Sequence, residues 1–212
     1  MPPRPYNNES RLQSQAELKS RIAAAAARLH AEKGALGTSW ADIAQAAGVS
    51  LPTVYKHFPD FEALIPACTG HAAQLAPPLP VERLLACDGL AEAAHAFAQA
   101  CDQLNAYYEP WLAWGEAARI EPLSRLQAQE RAAFTGLCRQ VLRRNLPAST
   151  GLAEMAAQWQ VLLDFDLWHA LVRRHGLSRA AARRHITHLL LAVTGPQPAA
   201  PANRRPDRRN PP

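Results

Sequence analysis

Residues 41–59, ADIAQAAGVSLPTVYKHFP, decide how this chain is read. Ile43, Ala44 and Ala47 recur at helical spacing until Gly48 ends the run. Glycine can enter the left-handed backbone region that closes a helix. Ser50 then stands where a helix N-cap is needed, and Pro52 falls in the first turn, where its missing N–H costs little. The pattern predicts a next helix of about two turns, too short to hold its shape in water alone. Leu51, Val54 and Phe58 fall at i, i+3 and i+7 and are expected to pack on neighbouring helices, leaving Pro52, Thr53, Tyr55, Lys56 and His57 outward. Two short helices crossing at small Ala44 and Gly48 form a helix-turn-helix.

Upstream, Leu18, Ile22, Ala25, Ala26 and Leu29 repeat at three and four over residues 16–33, an amphipathic helix that Gly34 closes. Thr38 or Ser39 caps the helix that follows, with Asp42 placed three after Ser39 for a capping box. Downstream, residues 60–75 restart as a helix, and Pro77, Pro78 and Pro80 break it. Ala/Leu-rich segments predict further helices over residues 81–108, 111–120, 123–145, 153–175 and 178–194, with Glu109-Pro110, Glu121-Pro122, Leu146-Pro147, Gly151 and Gly176 between them. The expected architecture is all-α. A disordered arm covers 1–14, a helix-turn-helix domain 15–59, a larger helical domain 60–195, and a disordered Pro/Arg-rich tail 196–212.

The 212-residue chain has a formal net charge of +5, unevenly spread. Residues 1–58 hold 7 Lys/Arg against 4 Asp/Glu, residues 196–212 hold 4 against 1, and the stretch between holds 12 against 13. Excess positive charge thus gathers at the helix-turn-helix and the tail, as expected if these ends meet a polyanion. The N-terminal residues lack the apolar core of a signal peptide, and no run of about 18 apolar residues could span a bilayer, so a cytoplasmic location is expected. Cys68, Cys87, Cys101 and Cys138 form no CxxC pair and read as buried thiols.

In a helix-turn-helix the second helix can enter the DNA major groove while flanking groups hold phosphates. Tyr55 and Lys56 offer a hydroxyl and a charge to phosphate oxygens, and Thr53 can reach a phosphate or a base edge. Leu51 and Pro52 can add groove fit or a thymine-methyl contact. Thr38 and Ser39 would present hydroxyls at a helix N-terminus.

The span 21–64 resembles the DNA-binding domain of TetR-type transcriptional regulators. The resemblance is carried by Ile22, Ala26, Leu29 and Gly34, by Asp42-Ile43-Ala44 and Ala47-Gly48-Val49-Ser50, by Tyr55 and Phe58, and by Glu62-Ala63-Leu64. It implies an all-helical homodimer, usually a repressor, that binds a palindromic DNA operator and is released by a small-molecule effector. It places DNA contacts on Thr38, Ser39, Ser50, Leu51, Pro52, Thr53, Tyr55, Lys56 and His57. Phe61 stands where similar sequences carry a phosphate-binding lysine. The resemblance also implies dimerisation through the last two helices. Their stripes Ala182, Ile186, Leu189, Leu190, Val193 and Trp159, Leu163, Leu167, Trp168, Leu171 suit either that interface or the core of one chain.

Aromatic residues gather in the larger domain. Phe97, Tyr107, Trp111, Trp114 and Trp159 would suit a lipophilic or cationic ligand if Asp102, Glu116, Asp164 or Asp166 turned inward; ordinary core packing is the competing reading. His185 with His188, and Cys68 with His71, have helical spacing but no third ligand, so no metal is expected. No GxSxG, HExxH or phosphate-binding glycine loop occurs, so neither an enzyme nor a cofactor is expected. An activator, a constitutive DNA-binding protein and, more remotely, a helical enzyme remain as alternatives. Reporter output, effector-induced release, and activity after loss of Tyr55 and Lys56 would tell them apart.

Overall fold

The computed structural model describes residues 8–146 and 151–195. Among these the regular elements are helices, with no strand. They run α1 Asn8–Lys33, α2 Trp40–Ala47, α3 Leu51–His57, α4 Phe61–Leu75, α5 Val81–Leu85, α6 Leu90–Leu112, α7 Glu121–Asn145, α8 Leu152–Leu163, α9 Phe165–His169 and α10 Arg179–Thr194. A 3-10 turn, Ala117–Arg119, precedes α7, and a π-helical turn, Ala170–Arg174, follows α9.

The local signals around the helix-turn-helix act as their chemistry requires. Ser39 Oγ accepts from Asp42 N while Asp42 Oδ2 accepts from Ser39 N, closing the capping box at the start of α2. Gly48 ends α2 at φ 64°, and its N–H together with that of Val49 satisfies the last carbonyls of the helix. Ser50 Oγ then accepts from Thr53 N to start α3. Val54 and Phe58 are buried, and each such side chain contributes about 1.5–3 kcal/mol of apolar burial. That anchorage is what lets a seven-residue helix persist. Leu51 departs from the expectation that it packs inward and stays 37% exposed. Helical side chains lean toward the N-terminus, so at the first position Leu51 points past the end of its own helix.

Two cores hold the chain. The first joins Ile22, Ala26, Leu29, Ile43, Val54 and Leu64 of α1 to α4. The second joins Leu84, Phe97, Val141, Leu142, Trp159, Trp168, Ile186 and Leu190 of α5 to α10. The apolar stripes of the last two helices therefore go largely into the chain's own core, since Trp159, Leu163, Trp168, Ala182, Ile186 and Leu190 are all buried there. What α8 and α10 leave outside is a second stripe, with Val161 62% and Leu189 42% exposed.

Several expected boundaries move. The first helix begins at Asn8 rather than residue 16, so the stretch 1–14 expected to be disordered is helical from Asn8, while residues 1–7 and the tail 196–212 lie outside the described residues. Residues 11–17 are exposed, and their Glu, Arg, Leu and Gln carry enough helix propensity to extend a helix nucleated by the packed turns that follow. The predicted helix 81–108 splits at Gly89, which takes φ 110° ahead of α6. Past Leu112, the predicted helix 111–120 is reduced to the 3-10 turn. Glu121 and Pro122 begin α7 instead of separating helices, because proline is tolerated in a first turn. The predicted helix 153–175 breaks at Asp164, whose carboxylate accepts from Phe165 N and restarts the chain as α9.

Candidate nucleic-acid interface

On α3 the side chains sort by face. Ser50, Leu51, Pro52, Tyr55 and Lys56 are exposed, Thr53 and His57 half-buried, and Val54 buried. Tyr55 is 44% exposed on the surface that remains once Val54 and Phe58 have turned inward. Ser50 and Thr53 share a hydrogen bond of 2.7 Å between their hydroxyls, which steadies the first turn. Ser39 stays exposed at the N-terminus of α2. Thr38 does not stand with the others: it is buried, and its hydroxyl donates to Gly34 O at 2.7 Å. The candidates on α3 and Ser39 are thus exposed or half-buried on the small domain, while Thr38 serves the α1–α2 turn.

Charge at the base of this domain is fixed locally. Lys33 Nζ donates to Asp42 Oδ2 at 2.6 Å, and that bond together with those from Ser39 holds the Asp42 carboxyl down to about 2. Lys33 is therefore committed to Asp42, whereas Lys56 makes no ion pair among the described residues.

The six residues expected to line a ligand cavity are not brought together. Phe97 and Trp159 meet edge to face in the core, centroids 5.6 Å apart, both fully buried. Asp102 is 1% exposed and accepts from Trp168 Nε1, from Arg179 and from Arg183 at 2.8–3.1 Å, which ties α6 to α9 and α10. Burial pushes its carboxyl up, but the bonds from Arg179, Trp168 and Arg183 outweigh that and the net shift is downward. Tyr107, Trp111 and Trp114 face α4 and α1. The Tyr107 hydroxyl donates to Ala72 O at 2.7 Å, Trp111 Nε1 to Ala27 O at 2.7 Å and Trp114 Nε1 to Ala31 O at 3.2 Å. Glu116 completes this attachment by accepting from Ala35 N at 2.6 Å and Leu36 N at 3.1 Å. Two open grooves lie elsewhere, one of about 330 Å³ between α1 and α4 with Lys19, Phe58 and His71, and one of about 240 Å³ beside α6 with Arg83 and Gln103.

Cys68 meets His30 at 3.7 Å instead of His71, and among the described residues no group of three His, Cys, Asp or Glu could hold a metal. No helix among them is long and apolar enough to cross a membrane. The sequence pattern did not single out Trp40, which follows directly on the N-cap of α2, a position from which a large ring can reach α3. Glu116, a candidate for turning into a ligand cavity, is instead bound to the backbone of Ala35 and Leu36, partners 81 and 80 residues away that no local signal announces.

Residues 22–68, which span α1 to α4, match the sequence profile of the bacterial regulatory proteins of the tetR family. The chain carries the N-terminal domain of the TetR family. Over most of the chain the fold is similar to that of solved structures. A protein of Mesorhizobium loti assigned as a TetR-family transcriptional regulator superposes with a TM-score of 0.58 at 24% identity, covering 84% of this chain and 95% of its own. A transcriptional regulator of Saccharomonospora viridis, solved with choline, gives 0.63 at 20%, covering 83% and 96%. NalD, the secondary repressor of the MexAB-OprM multidrug efflux pump in Pseudomonas aeruginosa, gives 0.57 at 22%, covering 84% and 96%. Among curated proteins none matches the sequence.

Proposed function

We propose that this TetR-family chain is a homodimeric transcriptional repressor that a small molecule releases from a palindromic DNA operator. The observation that carries the reading is the exposed face of α3, where Tyr55 and Lys56 lie exposed on a helix whose opposite face is buried. In this reading α1 to α3 form the DNA-reading domain, and α4 to α10 supply the effector site and the dimer contact. The two copies of α3 enter successive major grooves about 34–36 Å apart. Ser39, Ser50, Thr53, Tyr55, Lys56 and His57 make polar contacts, and Leu51 and Pro52 fit the groove. With so few base-edge donors, sequence readout rests partly on DNA shape.

Release by an effector requires different affinities for two conformers, with a coupling of about 1–3 kcal/mol. The choline-bound regulator of S. viridis supports a small, cationic effector for this fold. The effector site lies among the helices from α4 onward.

Tyr55→Ala combined with Lys56→Ala should lower affinity for a duplex selected from genomic fragments by about a hundredfold, as expected for losing one hydroxyl and one charged phosphate contact. Gel shift measures the loss, and sedimentation should show the same oligomer as the parent. Unchanged binding in this variant would refute the reading.

A further inference from the structure

Three aromatic rings from three helices meet on the surface that carries Tyr55. Trp40 is the first residue of α2, Tyr55 lies in the middle of α3, and Phe61 is the first residue of α4. The Trp40 and Tyr55 ring centroids are 5.3 Å apart at an interplanar angle of 33°, and those of Trp40 and Phe61 5.8 Å apart at 32°. Trp40 and Phe61 pack against the N-terminal core, whereas Tyr55 is 44% exposed. The ladder therefore runs from the core outward and ends on Tyr55.

An exposed tyrosine on a short helix normally samples more than one staggered rotamer. A ring held on one side by a neighbour that is itself held loses that freedom before any ligand arrives, so less entropy is lost on binding. Phe61 has no side-chain polar group to offer a phosphate, and its ring reaches Tyr55 through Trp40. We propose that Trp40 and Phe61 are positioning residues that hold the Tyr55 hydroxyl toward a DNA phosphate. This inference rests on the assignment of Tyr55 as a phosphate contact.

The test is a double-mutant cycle on the full chain, read by fluorescence anisotropy with a labelled mixed-sequence duplex of about 30 base pairs at low salt, which reports phosphate contacts without knowledge of the operator. Trp40→Ala should weaken binding about three- to tenfold when Tyr55 is present, and by less than about twofold in a Tyr55→Phe background, which keeps the ring but lacks the hydroxyl. Trp40→Phe should bind as the parent does. Where Trp40→Ala fails to fold, Phe61→Leu removes only the support behind Trp40 and enters the same cycle, with a smaller loss that again vanishes in Tyr55→Phe. Equal losses in both backgrounds would mean general damage to the domain and overturn the proposal. So would a Trp40→Phe loss as large as that of Trp40→Ala, which would assign the indole N–H itself to DNA. If Tyr55→Phe and Lys56→Ala both bind as the parent does, the phosphate-contact assignment fails first and the positioning role falls with it.

Discussion

His30 shows how one side chain can couple folding to pH. It is 5% exposed at the end of α1, its Nδ1 faces Cys68 Sγ, and its Nε2 has no hydrogen-bond partner among the described residues. Burial lowers the imidazole from its ordinary 6.5 to about 4, with the charge of Glu116 pulling the other way. Above pH 6.5 the ring is neutral in both the folded and the unfolded chain. Between 6.5 and about 4 the unfolded chain takes up a proton that the folded chain refuses, so stability falls as pH falls. The loss accumulated by pH 4 is about 3 kcal/mol. Denaturant unfolding of the parent at pH 7 and pH 4.5 should show this drop, and a His30→Leu chain should lack most of it; equal drops would place the protonation elsewhere. Sequence alone could not show this, because the pairing depends on α4 crossing α1 and not on spacing along the chain. The same holds at Thr38. Its hydroxyl read as a free phosphate ligand, and the α1–α2 turn commits it to Gly34. Tyr55 and Lys56 were legible because local periodicity already placed them opposite Val54.

Helices, by contrast, were legible wherever the stop signals act through the backbone alone. Gly34, Gly48 and Ser50 ended or began helices as read, since a left-handed glycine or a side-chain cap needs no distant partner. Pro110 misled, because α6 continues through it to Leu112. Tyr107 and Trp111 lie on either side of Pro110 and are tied by their hydroxyl and indole N–H to Ala72 O and Ala27 O, which holds the last turn in place. The same end of α6 leads to Glu116, whose carboxylate replaces helical partners for two N–H groups at the end of α1. Gly34 is required there, since it takes φ 77° and an added Cβ would come within 2.6 Å of Glu116 Oε1. Glu116→Ala should leave the buried Ala35 N–H unsatisfied at a cost of about 1–3 kcal/mol. Hydrogen exchange should then speed up at Ala35 and Leu36 by about tenfold or more, while the amides of α8 keep their protection. Unaltered exchange at both amides would show that the carboxylate does not hold this turn.

At the scale of the whole molecule, the question is what covers the outer face of α8 and α10. Their inner stripes are used within the chain, so a dimer built on Trp159, Trp168 or Ile186 is ruled out by burial. Outward, Ala153, Ala157 and Val161 follow each other at four-residue spacing on α8, and His185, Leu189 and Ala192 make a matching exposed row on α10. Small residues on one helix and a large apolar one on the other are what close helix packing between two copies requires. A palindrome reader also needs a second copy. Val161→Glu together with Leu189→Glu should therefore convert a dimeric parent into a monomer in sedimentation equilibrium. The far-ultraviolet circular dichroism should stay unchanged, because both side chains lie outside the core, at 62% and 42% exposure. Burying four carboxylates, two from each copy, without partners in the interface costs several kcal/mol per dimer, enough to move a dimer dissociation constant by about three orders of magnitude. A variant that remains dimeric would move the contact to another face, and a parent that is already monomeric would remove the two-copy geometry on which groove spacing and effector release depend.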